Sequence, residues 1–92
     1  MNRPFEWDAR KATLNLRKHG VGFAEAATVF YDPLVAMDVD ADHSFDERRY
    51  RAIGHSSSQR LLVVTYTERG GVIRLIGARP ADRSERRSYE NG

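Results

Sequence analysis

The stretch LLVVTYTERGGVIRLIGAR, residues 61–79, decides the fold. Its first half is rich in β-branched and aromatic residues and is apolar on both faces, which predicts a central strand. Gly70-Gly71 follows, and this pair is a strong signal for a tight hairpin turn. The return strand is predicted over residues 72–79, with one face made of Arg74, Ile76 and Ala78 and the other of Ile73, Leu75 and Arg79. The centre of the fold is therefore expected to be an antiparallel hairpin, which Pro80 ends.

Two more strands are predicted on the N-terminal side of this hairpin. From Arg48 onward the sequence period is two, which places Arg49, Arg51 and Ile53 on one face of a strand. Residues 34–39 predict another strand, and residues 40–47 predict an acidic loop between the two. Together with the hairpin, these segments predict a mostly antiparallel sheet of about four strands.

Two helices are predicted in the N-terminal third, after a short extended entry at residues 5–7. Asp8 suits the N-cap of a first helix that runs to about His19, because a carboxylate there accepts hydrogen bonds from unpaired N–H groups. One arc of this helix is polar and basic, and it carries Lys11, Asn15, Lys18 and His19. A second helix, which Asp32-Pro33 ends, is indicated by the i, i+3, i+4, i+7 spacing of Phe23, Ala26, Ala27 and Phe30.

A last helix is predicted after Pro80. Asp82 and Glu85 stand three residues apart, as in a capping box, and the helix is expected to continue to about Glu90. Almost nothing in it is apolar, so Tyr89 is expected to dock it on the rest of the protein. Two N-terminal helices, a sheet and a C-terminal helix predict an α+β fold, with residues 1–92 forming one domain.

Composition excludes several classes of protein. The chain contains no cysteine, which excludes disulfides and thiolate metal sites and makes a reducing cytoplasm the expected compartment. The first residues have no apolar segment of the kind found in signal peptides, and the longest apolar run is only residues 61–64. We therefore expect neither secretion nor contact with a membrane.

The charge is distributed unevenly along the chain. Residues 21–47 carry seven Asp and Glu and no Lys or Arg, whereas residues 48–92 carry ten arginines and four acids. The first 20 residues carry five cations and two acids, so both ends are basic and the middle is acidic. If the two ends meet in space, they form a basic face suited to phosphate, because the arginine fork binds phosphate in bidentate fashion. Ordinary solvated surface charge explains the composition equally well.

Familiar catalytic and metal-binding motifs are absent from the sequence. It has no Gly-rich phosphate loop and no His-Glu-x-x-His, and the three histidines have no ligand-like spacing, so no metal ion or cofactor is predicted. Cutting RNA without a metal requires a base for the 2′-OH proton, an acid for the leaving 5′-oxygen, and cations around the phosphate. His19 is a candidate base or acid, and Tyr89 a candidate acid if neighbouring arginines lower its pKa. The structural alternatives are a helix-terminal histidine and a docking aromatic.

The order and spacing of many residues resemble BrnT-type toxins. The resemblance begins with Phe5-x-Trp7-Asp8, Lys11, Asn15, Lys18-His19-Gly20-Val21, Phe23-x-x-Ala26 and Val29-Phe30-x-Asp32. It continues with Glu47-Arg48-Arg49, Gly54, the Leu-Val-Val strand, Thr67-x-Arg69, Arg74-Leu-Ile-x-Ala-Arg79 and Glu85-Arg86-x-x-Tyr89. It covers the chain from Phe5 to Tyr89, and its one departure is Gly77, where a serine is commoner.

The resemblance implies a RelE-like fold and the toxin role in a bacterial type II toxin–antitoxin pair. Such a toxin is an endoribonuclease that cuts RNA, in particular mRNA that is either free or on the ribosome, and so inhibits translation. Cleavage is expected to need no metal and to leave a cyclic phosphate. The expected partner is a cognate ribbon-helix-helix antitoxin, which forms a hetero-oligomer with the toxin and represses the shared operon.

The resemblance implies that Lys18, His19, Arg49, Arg74, Arg79 and Tyr89 lie nearest the scissile phosphate, and the placement of the other cations on the predicted elements adds further RNA-binding candidates. The predicted catalytic residues are His19, Arg49, Arg74, Arg79 and Tyr89. The predicted RNA-binding residues are Lys11, Lys18, Arg51, Arg69, Arg83 and Arg86. Two alternatives stay open: a non-catalytic RNA- or ribosome-binding module derived from such a toxin, and a basic surface that docks an acidic protein.

Overall fold

The computed structural model describes residues 4–44 and 46–92. It contains three α-helices and five strands, together with two short 3-10 turns, Thr28–Tyr31 and Ala41–His43. The α-helices are α1 (Ala9–His19), α2 (Phe23–Ala27) and α3 (Arg83–Asn91). The strands are β1 (Phe5–Glu6), β2 (Ala36–Val39), β3 (Tyr50–His55), β4 (Leu61–Arg69) and β5 (Val72–Pro80). The predicted α+β class is therefore confirmed, and none of the described helices is long and apolar enough to cross a membrane.

The five strands form one sheet in the order β1-β5-β4-β3-β2. All neighbouring pairs are antiparallel except β1 and β5, which run parallel, with Phe5 opposite Ile73. The prediction of about four strands was wrong by this one strand, because the expected extended entry joins the sheet. Its partner lies far along the chain, and a strand of two residues has no periodicity by which it can be recognised.

The central hairpin of β4 and β5 is confirmed, with Gly70 at φ 57° and Gly71 at φ 83°. Both residues of a type I′ turn need positive φ, which glycine adopts without steric cost. The predicted alternation in β5 is correct only as far as Leu75. Thr65 pairs with Gly77 but Tyr66 pairs with Leu75, so Ile76 is the extra residue of a β-bulge. The bulge reverses the faces that were predicted for Ala78 and Arg79.

The two faces of the sheet have different covers. The N-terminal segment packs on one face and forms the core, which contains Val21, Phe23, Ala26, Val29, Ala52, Leu62, Val64, Tyr66, Ile73, Leu75 and Ala78. Arg51, Ile53 and His55 alternate with the buried residues of β3 and point to the opposite face, as predicted for Arg51 and Ile53. We call this second face the open face.

Helix α2 is shorter than predicted, and strand β2 begins later in the chain than the predicted strand over residues 34–39. The α-helix ends at Ala27, where the Thr28 side chain donates a hydrogen bond to the Glu25 carbonyl oxygen and the chain tightens into a 3-10 turn. Strand β2 begins at residue 36 instead of residue 34, because Asp32 holds the intervening residues in a turn. Its carboxylate accepts from Leu34 N–H, and its carbonyl oxygen accepts from Val35 N–H.

Candidate functional site

A cleft of about 470 Å³ lies on the open face of the sheet, between the end of α1 and the loop that follows β2. We call it the polar cleft. Its lining residues are Asn15, Lys18, His19, Asp40, Asp42, His43, Arg49, Arg51, Val63, Thr65, Ile76, Gly77, Ala78 and Arg79. The cleft therefore contains five of the predicted site residues, Lys18, His19, Arg49, Arg51 and Arg79.

Strand register explains why two of the arginines meet there. Arg51 stands opposite Thr65, which stands opposite Gly77, so these three residues form one row across the open face. In the next row Val63 pairs with Arg79. The bulge at Ile76 is what turns Arg79 toward this face. Gly77 lines the floor of the cleft and contributes no side chain to it.

Helix α1 is attached to the edge of β5 by Asn15. The Asn15 amide nitrogen donates to the carbonyl oxygens of Val21 and Ala78, at 2.9 Å each. Its amide oxygen accepts from the Ala78 N–H at 3.1 Å. The side chain thus replaces a neighbouring strand, since it donates to and accepts from the same β5 residue. Lys18 and His19 follow one turn later on α1 and reach the cleft by this attachment.

Arg79 is held by α3. Its two terminal nitrogens donate to the two carboxylate oxygens of Glu85, both at 2.7 Å. This bidentate pair raises the pKa of Arg79 and lowers the pKa of Glu85. Glu85 is also the residue that closes the predicted capping box with Asp82. The contact crosses from β5 to α3, so Arg79 fixes the beginning of the helix over the open face.

The other cations of the cleft differ in how far they are paired. Arg51 donates to Asp38 at 3.2 Å, while its buried Nε has no hydrogen-bond partner among the residues that the structure describes. Lys18 and Arg49 make no ion pair with any residue in the described ranges. Lys18 and Arg49 thus have unused capacity for an acceptor oxygen, whereas the buried Nε of Arg51 is out of reach of a ligand.

The cleft also contains an imidazole, that of His43, which was not among the predicted site residues. His43 Nδ1 lies 3.1 and 3.2 Å from the two carboxylate oxygens of Asp40, which orients the ring. Asp40 and Asp42, which belong to the predicted acidic loop, line the same cleft as the arginines. The i, i+3 spacing of Asp40 and His43 was the available signal, because that spacing brings two side chains together on one helical turn.

Tyr89 belongs to a different cluster, which we call the tyrosine cluster and which consists of Asp32, His55 and Tyr89. The Tyr89 hydroxyl donates to Asp32 Oδ2 at 2.5 Å and lies 3.2 Å from His55 Nδ1. Asp32 Oδ2 also accepts from the His55 backbone N–H at 2.7 Å. Gly54 permits this approach, because a Cβ on it would lie only 3.1 Å from that oxygen. The hydrogen bond to the Asp32 carboxylate raises the pKa of Tyr89 to about 12, whereas a lowering by arginine neighbours was the expectation.

The other predicted site residues do not line the polar cleft. Arg74 pairs with Glu6 at 3.0 Å, and Arg69 forms a bidentate pair with Glu47. Lys11 lines a neighbouring groove of about 240 Å³ that shares Lys18 and His19 with the cleft. The two remaining residues, Arg83 and Arg86, are exposed on α3. Among the described residues, no group of three or more potential ligands is placed to hold a metal ion.

Comparisons with known proteins agree with this fold. A family model described as "Ribonuclease toxin, BrnT, of type II toxin-antitoxin system" matches residues 7–85. The solved structures include the Brucella abortus ribonuclease toxin BrnT, which is 22% identical and superimposes with a TM-score of 0.64. That alignment covers 89% of this chain and 100% of the Brucella chain. No curated protein sequence matches this chain.

Proposed function

Because this chain belongs to the BrnT ribonuclease toxins of type II toxin–antitoxin systems, we propose that the polar cleft is where it binds and cuts RNA. The observation that carries the proposal is the meeting of Lys18, Arg49 and Arg51 with two imidazoles in one cleft. Donors with unused capacity favour a phosphate, and an imidazole can serve as a general base or a general acid. Reaction without a metal ion, and inhibition of translation, are part of the proposal.

The chemistry assigned to the cleft is an in-line displacement at phosphorus. One imidazole, that of His19 or His43, takes the proton of the 2′-hydroxyl, and the 2′-oxygen attacks the adjacent phosphorus. The bond from phosphorus to the 5′-oxygen breaks, and the other imidazole gives that oxygen a proton. The products are a 2′,3′-cyclic phosphate and a free 5′-hydroxyl.

Cations stabilise the negative charge that develops on the phosphoryl oxygens. Lys18 and Arg49 meet the phosphate first, because neither has an ion pair with a described residue to give up on binding. Arg79 is engaged by Glu85 through both terminal nitrogens, so its first role is to position α3 beside the cleft. Asp40 acts through His43, whose ring it orients, and is a positioning residue.

The test is cleavage of a defined RNA by the purified chain in the presence of EDTA. We expect products with cyclic phosphate ends by mass spectrometry, and a strong loss of rate for Arg49→Ala and for His19→Gln. Arg87→Ala removes the same charge from α3 outside the cleft, at a residue not predicted to bind RNA, and it should retain the rate. Tight RNA binding without cleavage, with and without ribosomes, contradicts this proposal and favours the non-catalytic binding module.

We also propose a cognate ribbon-helix-helix antitoxin as the partner and mRNA as the substrate in the cell. Expression of the chain alone should arrest growth and reduce protein synthesis, and co-expression with the antitoxin should restore both. An arrest that leaves protein synthesis intact contradicts translation as the target.

A further inference from the structure

The edge of the sheet at β2 carries exposed apolar side chains. Leu34 is 73% exposed, Met37 49% and Val39 42%. Within the described ranges β2 pairs only with β3, so its outer side has no strand beside it. Proteins normally blunt a strand edge of this kind or cover it with a partner.

The hydrogen-bond pattern shows which main-chain groups the edge presents. Asp40 N–H donates to the Arg49 carbonyl oxygen at 2.8 Å, which makes residues 40 and 49 a hydrogen-bonded pair. Such pairs alternate along an antiparallel ladder, so Asp38 and Ala36 also turn their polar groups toward β3. The N–H and C=O groups of Met37 and Val39 therefore point outward and are available to another strand.

Two pockets flank Leu34 at the beginning of the same edge. One has a volume of about 670 Å³, the other about 470 Å³, and Leu34 and Tyr89 line both. A strand edge supplies main-chain hydrogen bonds and adjacent pockets select side chains, which is the usual division of roles in recognition by strand addition.

Charge distinguishes between the possible occupants. The two pockets beside Leu34 contain the carboxylates of Asp32 and Glu90 and, among the described residues, are lined by no Lys or Arg. RNA is anionic and finds no cation there, and a second copy of the chain would bring its own Asp32 and Glu90 against these carboxylates, so both are disfavoured. A protein segment with apolar and basic side chains is attracted.

We propose that the edge of β2, with the pockets beside Leu34, is the docking surface for an extended, apolar and basic segment of the antitoxin. The proposal rests on the proposed function for the existence of that partner. It separates neutralisation from catalysis, because Leu34 and Met37 do not line the polar cleft.

The test uses the full chain and the purified antitoxin encoded beside its gene. Met37→Pro removes one outward N–H without removing a bond to β3, and it should weaken antitoxin binding about tenfold or more. Met37→Leu keeps the N–H and the apolar side chain and should bind normally. RNA cleavage without antitoxin should be unchanged in both variants. In the unmodified chain, the Met37 and Val39 amides should gain protection from hydrogen exchange when the antitoxin binds.

Three outcomes overturn the docking proposal. Normal antitoxin binding by Met37→Pro, with no new protection at Met37 and Val39, places the partner elsewhere. If Met37→Pro binds RNA more weakly, the edge belongs to the RNA site. If the chain alone forms a dimer and Met37→Pro makes it monomeric, the edge serves self-association. If the unmodified chain cuts no RNA while the antitoxin still protects this edge, the ribonuclease proposal fails and the docking proposal stands.

Discussion

The polar cleft and the tyrosine cluster contain the same kinds of side chain but differ in what those side chains bind. Both contain an imidazole and a carboxylate, and both are contacted by α3, through Glu85 in one case and Tyr89 one turn later in the other. In the tyrosine cluster the Asp32 carboxylate accepts from the Tyr89 hydroxyl and from two backbone N–H groups. In the polar cleft, Lys18 and Arg49 have no ion-pair partner among the residues described.

The difference teaches that residue type alone does not separate a structural cluster from a site. Groups that satisfy one another inside the protein stabilise the fold, whereas groups with unused donors are available to a ligand. The comparison predicts that the two regions respond differently to substitution: changes in the cleft should affect activity, and changes in the tyrosine cluster should affect stability.

The largest effect is expected for Arg49→Ala in the cleft. Loss of one preorganised cation at a developing negative charge should reduce the rate of RNA cleavage roughly 100- to 1000-fold. The free energy of unfolding should change by less than about 0.5 kcal/mol, because the Arg49 side chain makes no ion pair with residues 4–44 or 46–92. Single-turnover rates and urea unfolding measure the two quantities. A variant that loses stability and activity together would abolish the distinction between the regions.

Tyr89→Phe should have the opposite profile. Removal of the hydroxyl takes a hydrogen bond from the Asp32 carboxylate, and we expect a loss of about 1.5–3 kcal/mol in the free energy of unfolding. RNA cleavage by the folded variant should stay within about threefold of the original rate, since the lost bond lies outside the cleft. Thermal or urea unfolding, followed by cleavage assays well below the midpoint, makes the measurement. A 100-fold loss of rate in the folded variant would return Tyr89 to the catalytic residues.

The same hydrogen bond sets a pH dependence at the alkaline end. The pKa of Tyr89 is about 12 in the folded protein against 10.0 for an ordinary tyrosine, so the folded state holds this proton more tightly. The resulting stabilisation is present below pH 10 and is lost as the pH rises from about 10 through about 12. Absorbance titration of the chain and of Tyr89→Phe isolates this group by difference. In Asp32→Asn its pKa should fall back toward 10, and an unchanged value would contradict the assignment to Asp32.

The smallest effect is expected for Gly77→Ser in the floor of the cleft. A Cβ there meets only the Asn15 amide oxygen at 3.8 Å, an ordinary contact, so the side chain fits without strain. The added hydroxyl should increase the rate of cleavage by up to about tenfold through one hydrogen bond to RNA. Gly77→Ala supplies the matched control, with the same backbone constraint and no hydroxyl. Equal rates for the serine and alanine variants would exclude a contact of that hydroxyl with RNA.

Local signals made most of the elements predictable. Asp8 caps α1 through the N–H groups of Arg10 and Lys11, and Asp82 and Glu85 form both bonds of the capping box. The hairpin at Gly70-Gly71 was equally predictable, because each of these features depends on residues that lie within a few positions of one another in the chain. The bulge at Ile76 could not be predicted from the sequence, because it depends on how β4 and β5 pair and has no signature in the composition of the strand.

The site was predictable as a set of residue types but not as a set of available groups. Arg74 and Arg69 were predicted to act on RNA, yet they pair with Glu6 and Glu47. Such pairs join residues that are far apart in the chain, so only the folded structure shows that these charges are engaged. His43 was missed because its importance depends on the cleft that the sheet and α1 form together.

The attachment of α1 by Asn15 has a genetic consequence. No residue of α1 is buried, so the helix that carries Lys18 and His19 depends heavily on one amide for its place beside the sheet. Replacement of this amide by a carboxylate requires one nucleotide change, and Asp cannot donate to the carbonyl oxygens of Val21 and Ala78. If Lys18 and His19 act on RNA as proposed, a population that has lost its antitoxin has a short mutational route to a harmless toxin, one that leaves the hydrophobic core and the edge of β2 intact.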